Sequence, residues 1–325
     1  MLAASLPSFE HLHRLRAGAV HAPAGVAVFR VAGPGAIACL QGLWTNDIEK
    51  PGNAAVAYGA VLTPKGMLIA DGWLLRQGDS ALLVVPASTR EPVSQLLRRS
   101  LPPRLAAVSD ESDALEAAVL LGDAALDLWP VVPLGRLPEP GTCLSSEMAG
   151  ASFVVAVPTI GPFAAMVLAA PEAMRTVTGV LDAARMARGA EADRDAARIL
   201  AGWPAVGAEI DDRTLPQEVR FDEHLGVSYT KGCYTGQETV ARLHFRGHAN
   251  RALVGLRWVG PYIEGSEVTA GGKVMGRVGS VLTLPDRVLA TALLRRELRP
   301  GHHVTVAGAA AVVTDLPFGA AEVEG

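Results

Sequence analysis

The stretch TKGCYTGQETVARLHFRGHANR, residues 230–251, places Cys233 next to Gly232, two residues after Lys231 and just ahead of a run with helical character. Thr235, Gly236, Gln237 and Glu238 have the form of a capping box, in which the Thr235 hydroxyl and the Glu238 carboxylate satisfy backbone amides of a first helical turn. That spacing predicts a helix here, with Cys233 just outside its N-terminus. The partial positive charge at such an end, with Lys231 nearby, favours a thiolate, and Gly232 and Gly236 leave the sulfur uncrowded. Cys233 and Lys231 are therefore the candidate reactive pair. The other reading of Cys233 is a small hydrophobe buried in a turn.

Moving outward, 325 residues exceed one ordinary core, so two or three packed units are expected. With 50% hydrophobic and 19% charged residues the chain reads as globular and not disordered. A net charge of -4 argues against a protein that coats nucleic acid. Cys39, Cys143 and Cys233 are widely separated and form no C-x-x-C pair, which excludes a disulfide framework and a self-contained zinc or iron–sulfur site. No stably bound metal is expected, and a cytoplasmic location fits best. Glu10, His11, His13 and Arg14 break any secretory leader early. The uncharged run 152–170 is interrupted by Pro158, Gly161 and Pro162, so it predicts a buried β-hairpin and no membrane association.

Residues 1–112 alternate strands (26–31, 56–62, 67–75, 81–86, 105–108) with helices after Pro34 and over 89–99, the grammar of a split β-α-β, ferredoxin-like sandwich. Residues 113–250 repeat that grammar: a strand at 118–121, a short helix at 123–128, a proline-rich crossing at 130–140, the 152–170 hairpin, and helices at 172–188 and 191–201. Residues 251–325 switch to short strands punctuated by glycine, which predicts a small β-barrel. The cysteine motif falls at the junction between units, where clefts form.

KGCYTGQE, residues 231–238, resembles the K-G-C-Y-x-G-Q-E signature of the YgfZ family, folate-binding relatives of the glycine-cleavage aminomethyltransferase that maintain iron–sulfur enzymes. LQGLWTNDI (40–48), LTPKGMLIADGWLL (62–75) and AARILAGWPAVGAEIDDRTLPQE (196–218) resemble further elements of the same family. The resemblance implies an α+β, aminomethyltransferase-like fold: two ferredoxin-like modules and a C-terminal barrel around a central folate opening. It implies tetrahydrofolate or a derivative as ligand, with Asp71, Glu218 and Arg198 at matching positions as cofactor-binding residues. A carboxylate suits that task because it accepts the paired N–H donors of an aminopterin edge. Iron–sulfur client enzymes or cluster-assembly proteins are the implied partners, with Cys233 contacting iron or a cluster edge only transiently. The aminomethyltransferase branch has R-L-E-A-G where this chain has Arg198, Ile199, Leu200, Ala201 and Gly202, so an acidic group is missing at Leu200. That departure points away from glycine-cleavage turnover.

Three weaker patterns remain. His244 and His248 stand four apart, but Gly247 between them ends a helix and argues against a metal pair. Arg242, Arg246 and Arg251 suit a phosphate, a polyglutamate tail or RNA; a solvated basic face is favoured over RNA. His224 is the nearest imidazole in sequence for a Cys–His pair.

Overall fold

The computed structural model describes residues 7–129, 135–148, 150–263 and 265–323. In chain order the first elements are α1 (Phe9–Ala17), β1 (Val20–Ala24), β2 (Val26–Ala32), α2 (Ala36–Gln41), β3 (Val56–Leu62), β4 (Leu68–Gln77), β5 (Ser80–Pro86), α3 (Arg90–Ser100) and β6 (Ala107–Asp110). There follow β7 (Glu116–Leu121), α4 (Ala124–Leu128), β8 (Thr142–Met148), β9 (Ala151–Val157), β10 (Ala165–Ala169), α5 (Pro171–Ala183), β11 (Ala187–Arg188), α6 (Glu191–Leu200) and α7 (Gln237–Arg246). The last are β12 (Arg251–Trp258), β13 (Glu267–Ala270), β14 (Lys273–Thr283), β15 (Val288–Arg295), β16 (His303–Val306), β17 (Ala309–Thr314) and α8 (Ala320–Val323).

These strands form a five-stranded sheet, β3-β4-β5-β2-β6, a six-stranded sheet, β11-β1-β7-β10-β9-β8, and a closed barrel, β12-β15-β14-β13-β16-β17. β3, VAYGAVL, is buried along its whole length, as a strand covered on both faces must be. Its alternate residues Tyr58, Ala60 and Leu62 face the centre of the molecule, while Ala57 and Val61 face α2 and α3. The central apolar cluster also takes Val119 and Met166 from the second sheet, Ile199 and Leu200 from α6, and Leu282, Leu289 and Phe318 from the barrel and its tail. Separate clusters pack α5 on the second sheet and fill the barrel.

The hairpin expected over 152–170 is present as β9 paired antiparallel with β10. Among the described residues no helix is long and apolar enough to cross a membrane. Part of the crossing expected at 130–140, residues 130–134, lies outside the described residues.

Residue 112 falls between β6 and β7, but the stretch 1–112 also holds β1, which belongs to the second sheet. β1 pairs antiparallel with β7, Val20 opposite Leu121, and parallel with β11. Its short length hides it from pattern reading, and Pro23 argues against a central strand. The structure resolves this because β11 reaches only Val20 and His21, leaving Pro23 on a stretch open on that side.

Candidate functional site

The two sheets do not close against each other completely. Between them and α6 lies a cavity of about 480 Å³ whose lining includes Tyr58, Asp71, Trp73, Phe163, Arg198 and Trp203. The walls are aromatic: Trp73 lies 5.1 Å from Tyr58 and 5.2 Å from Phe163 between ring centroids, and Trp203 stacks behind it at 6.2 Å. On its other side Trp203 stacks on His224 at 3.7 Å with the planes 9° apart.

Asp71, on β4, contributes a carboxylate to this lining. Tyr58, from the neighbouring strand, donates its hydroxyl to Asp71 Oδ2 at 2.9 Å. Asp71 Oδ1 is buried and has no hydrogen-bond partner among the described residues. Burial pushes this carboxyl up to about 6, against the opposing pull of the Tyr58 hydrogen bond and the Arg198 charge. An orphaned buried carboxylate oxygen is costly unless something supplies a donor.

Arg198 is in the wall, but its donors serve the protein. Nη1 donates to the Trp203 carbonyl at 2.8 Å and Nη2 to Ser280 Oγ at 2.9 Å. One turn earlier on α6, Arg194 also lines the cavity, and its Nε is buried without a partner. Pattern reading had no reason to separate Arg194 from the other charges of α6. It equally missed Glu209, whose buried carboxylate accepts the Ala205 N–H at 2.8 Å, the Ser280 N–H at 2.6 Å and the Thr291 hydroxyl, tying the barrel to the cavity wall.

Glu218 is placed elsewhere. It lies outside the cavity lining, and its carboxylate is gripped by Arg251 Nε at 2.8 Å and Nη2 at 2.7 Å while accepting the Leu215 N–H at 3.0 Å. The bidentate geometry expected for a pterin edge is met by a guanidinium of the chain itself. His224 is not a partner for a nucleophile in this structure. Its ring is held between Trp203 and Tyr58 with both nitrogens unpartnered, and burial, helped by the Arg220 charge, pulls it down to about 3.

The cysteine loop is the second feature. Cys233 is exposed. Lys231 is buried, and its Nζ donates to the carbonyls of Gln41 at 2.6 Å, Trp44 at 2.5 Å and Asn46 at 2.9 Å. Burial draws this amine down to about 8, opposed by Asp47 and Glu49. All three of its donors hold the loop to the end of α2 and the residues after it, so Lys231 anchors the loop that carries Cys233. The capping box also fails to form. α7 begins at Gln237 with Gly236 as its cap, Thr235 makes no side-chain cap, and its N–H donates to the Gly42 carbonyl at 3.0 Å. Close packing overrides capping here: Gly236 sits at φ +83°, and a Cβ on it would lie 2.6 Å from the Thr63 carbonyl oxygen in the β3–β4 turn. The segments 40–48, 62–66 and 231–238, remote in sequence, therefore meet around the loop that carries Cys233.

His244 leans on Tyr229, ring centroids 3.6 Å apart, with Asp222 at 3.4 Å from its Nδ1. Among the described residues no group of three or more His, Cys, Asp or Glu side chains is placed to hold a metal.

The GCVT N-terminal domain profile matches residues 10–130. The tRNA-modifying protein YgfZ of Edwardsiella ictaluri is 33% identical over 233 residues, 70% of this chain and 67% of the relative. The chain belongs to the YgfZ family. This YgfZ-family protein is also similar to an aminomethyltransferase, that of Rubrobacter xylanophilus, at 29% identity over 305 residues, 90% of this chain and 80% of the relative. Its fold matches the glycine cleavage system aminomethyltransferase T of Bartonella henselae with a TM-score of 0.81 at 21% identity, covering 95% of this chain and 88% of that one. The YgfZ-family chain thus has the aminomethyltransferase-like α+β fold with its closed barrel.

Proposed function

We propose that this chain binds a reduced folate in the cavity between its sheets and supports assembly or repair of iron–sulfur clusters in cytoplasmic client enzymes, and through them tRNA modification. The observation that carries the reading is Asp71, a buried carboxylate with one oxygen unpartnered in an aromatic-walled cavity. A pterin fits such a place: its flat ring stacks on Trp73 and Trp203, and its N–H groups satisfy Oδ1. When bound, a tetrahydrofolate supplies a one-carbon carrier. The chain's own residues fix its orientation, with Tyr58 holding one carboxylate oxygen so that the other faces the ligand.

Cys233 is the reacting group. It is exposed on a loop anchored from beneath by Lys231, an arrangement suited to transient ligation of iron or a cluster edge by a partner that approaches from solvent. The similarity to aminomethyltransferases supports a tetrahydrofolate-dependent enzyme as the second reading. Leu200, which stands where that branch has an acid, is buried in the central core, and this weighs against it.

The test is a strain lacking the protein, assayed for [4Fe–4S] enzyme activity and complemented with wild type, Cys233→Ala and Asp71→Asn. Cys233→Ala is expected to fold within about 0.5 kcal/mol of wild type, as an exposed substitution should, to bind tetrahydrofolate, and to fail in complementation. Full complementation by Cys233→Ala would remove the cysteine from the mechanism. Unchanged tetrahydrofolate affinity in folded Asp71→Asn would remove the cavity.

A further inference from the structure

Two residues of the cavity lining each carry a buried polar atom without a partner among the described residues, and the two atoms are chemically opposite. Asp71 Oδ1 needs a donor; Arg194 Nε can only donate. A single occupant that satisfies both must carry an N–H at one part and an acceptor oxygen at another. The neighbouring arginine is no substitute, since Arg198 already donates to the Trp203 carbonyl and to Ser280 Oγ. Arg194 commits only Nη2, to Asp195 Oδ1 at 3.0 Å, and Asp195 is about half exposed at the rim. Arg194 thus lines the cavity with a guanidinium whose Nε has no partner among the described residues.

We infer that Arg194 forms a second subsite for the acceptor-bearing tail of the ligand, the benzoyl carbonyl or glutamate carboxylate of a folate, while the pterin lies at Asp71. This rests on the folate reading above and deepens it: the cavity selects the tailed molecule over a bare pterin. The specificity comes from α6, whose i, i+4 spacing sets Arg194 and Arg198 along one face of the cavity, one arginine structural and the other for the ligand.

The experiment is titration calorimetry of the full chain with two probes, tetrahydrofolate and 6-methyltetrahydropterin, which has the ring and lacks the tail. Wild type, Arg194→Gln and Asp71→Asn are compared, each checked for cooperative thermal unfolding at or above the wild-type melting temperature. Arg194→Gln is expected to lose at least about tenfold in tetrahydrofolate affinity, as for a charge-assisted bond, and to bind the tailless pterin as wild type does. Asp71→Asn should weaken both ligands. Arg194→Lys, which keeps the charge without the planar Nε–H, should recover only part of the loss. Tetrahydrofolate affinity in Arg194→Gln within about twofold of wild type, or an equal loss for both probes, overturns the tail subsite and leaves the folate reading standing. Failure of wild type to bind tetrahydrofolate sinks the folate reading itself.

Discussion

Asp71 illustrates a residue kept at the expense of stability. Its carboxyl is raised to about 6 from 3.8, so the folded chain binds this proton more tightly than the unfolded chain does. The sign follows directly. The stabilising contribution is complete below the unfolded value and is lost as pH rises through the folded one. Above pH 6 an ionised Asp71 costs the folded protein about 3 kcal/mol, two units at about 1.4 kcal/mol each. Asp71→Asn is therefore expected to raise unfolding free energy at pH 7.5 by about 1–3 kcal/mol, with the gain vanishing below pH 4, in urea melts across that range. A destabilised variant at pH 7.5 would show that the carboxylate is internally satisfied. Besides burial, the side chains that act on it are Tyr58, Arg198 and Glu209, and of these three only Tyr58 makes a hydrogen bond.

At the level of elements, the anchored loop and the short 3-10 helix Pro216–Val219 each join two modules, the loop through Lys231 to residues 41–46 and the 3-10 helix through Glu218 to Arg251. Gly236→Ala should cost about 2 kcal/mol or more, because a side chain at positive φ would also strike the β3–β4 turn. Thermal unfolding measures the cost, and faster proteolysis near residue 233 reports the displaced loop. Glu218→Gln should destabilise by about 2–4 kcal/mol through the broken pair with Arg251 yet leave tetrahydrofolate affinity unchanged. A selective loss of affinity would return Glu218 to the binding site. These cases mark what could be read in advance. β3, β9 and β10 were legible because continuous apolar runs bounded by turn residues have few other solutions, and the motif 231–238 led to the fold class. The roles of Lys231, Glu218 and Arg194 were not, because each is decided by which carbonyl, guanidinium or empty space lies opposite it. Those neighbours are 185–190 residues away for Lys231 and 33 for Glu218.

For the whole molecule, β1 has a consequence for synthesis on the ribosome. The first sheet needs nothing beyond β6 at Asp110, so it can form early as the chain emerges. β1 is made before all of it, yet its partners are β7 and, with Val20 opposite Ala187, β11. At about 5–20 residues per second, a nascent strand with both ladder edges open waits on the order of 5–20 seconds for β7 and roughly two-thirds of that interval again for β11. Stalled nascent chains should show this as two steps. Chains with about 110 residues outside the exit tunnel are expected to protect the first sheet from protease while cleaving within residues 9–24, and that segment becomes resistant only after β7 and α6 have emerged. Early protection of residues 9–24 would mean that the segment finds a temporary partner in the first sheet. In this protein β1 is thus made before the first sheet and finds its place only after it.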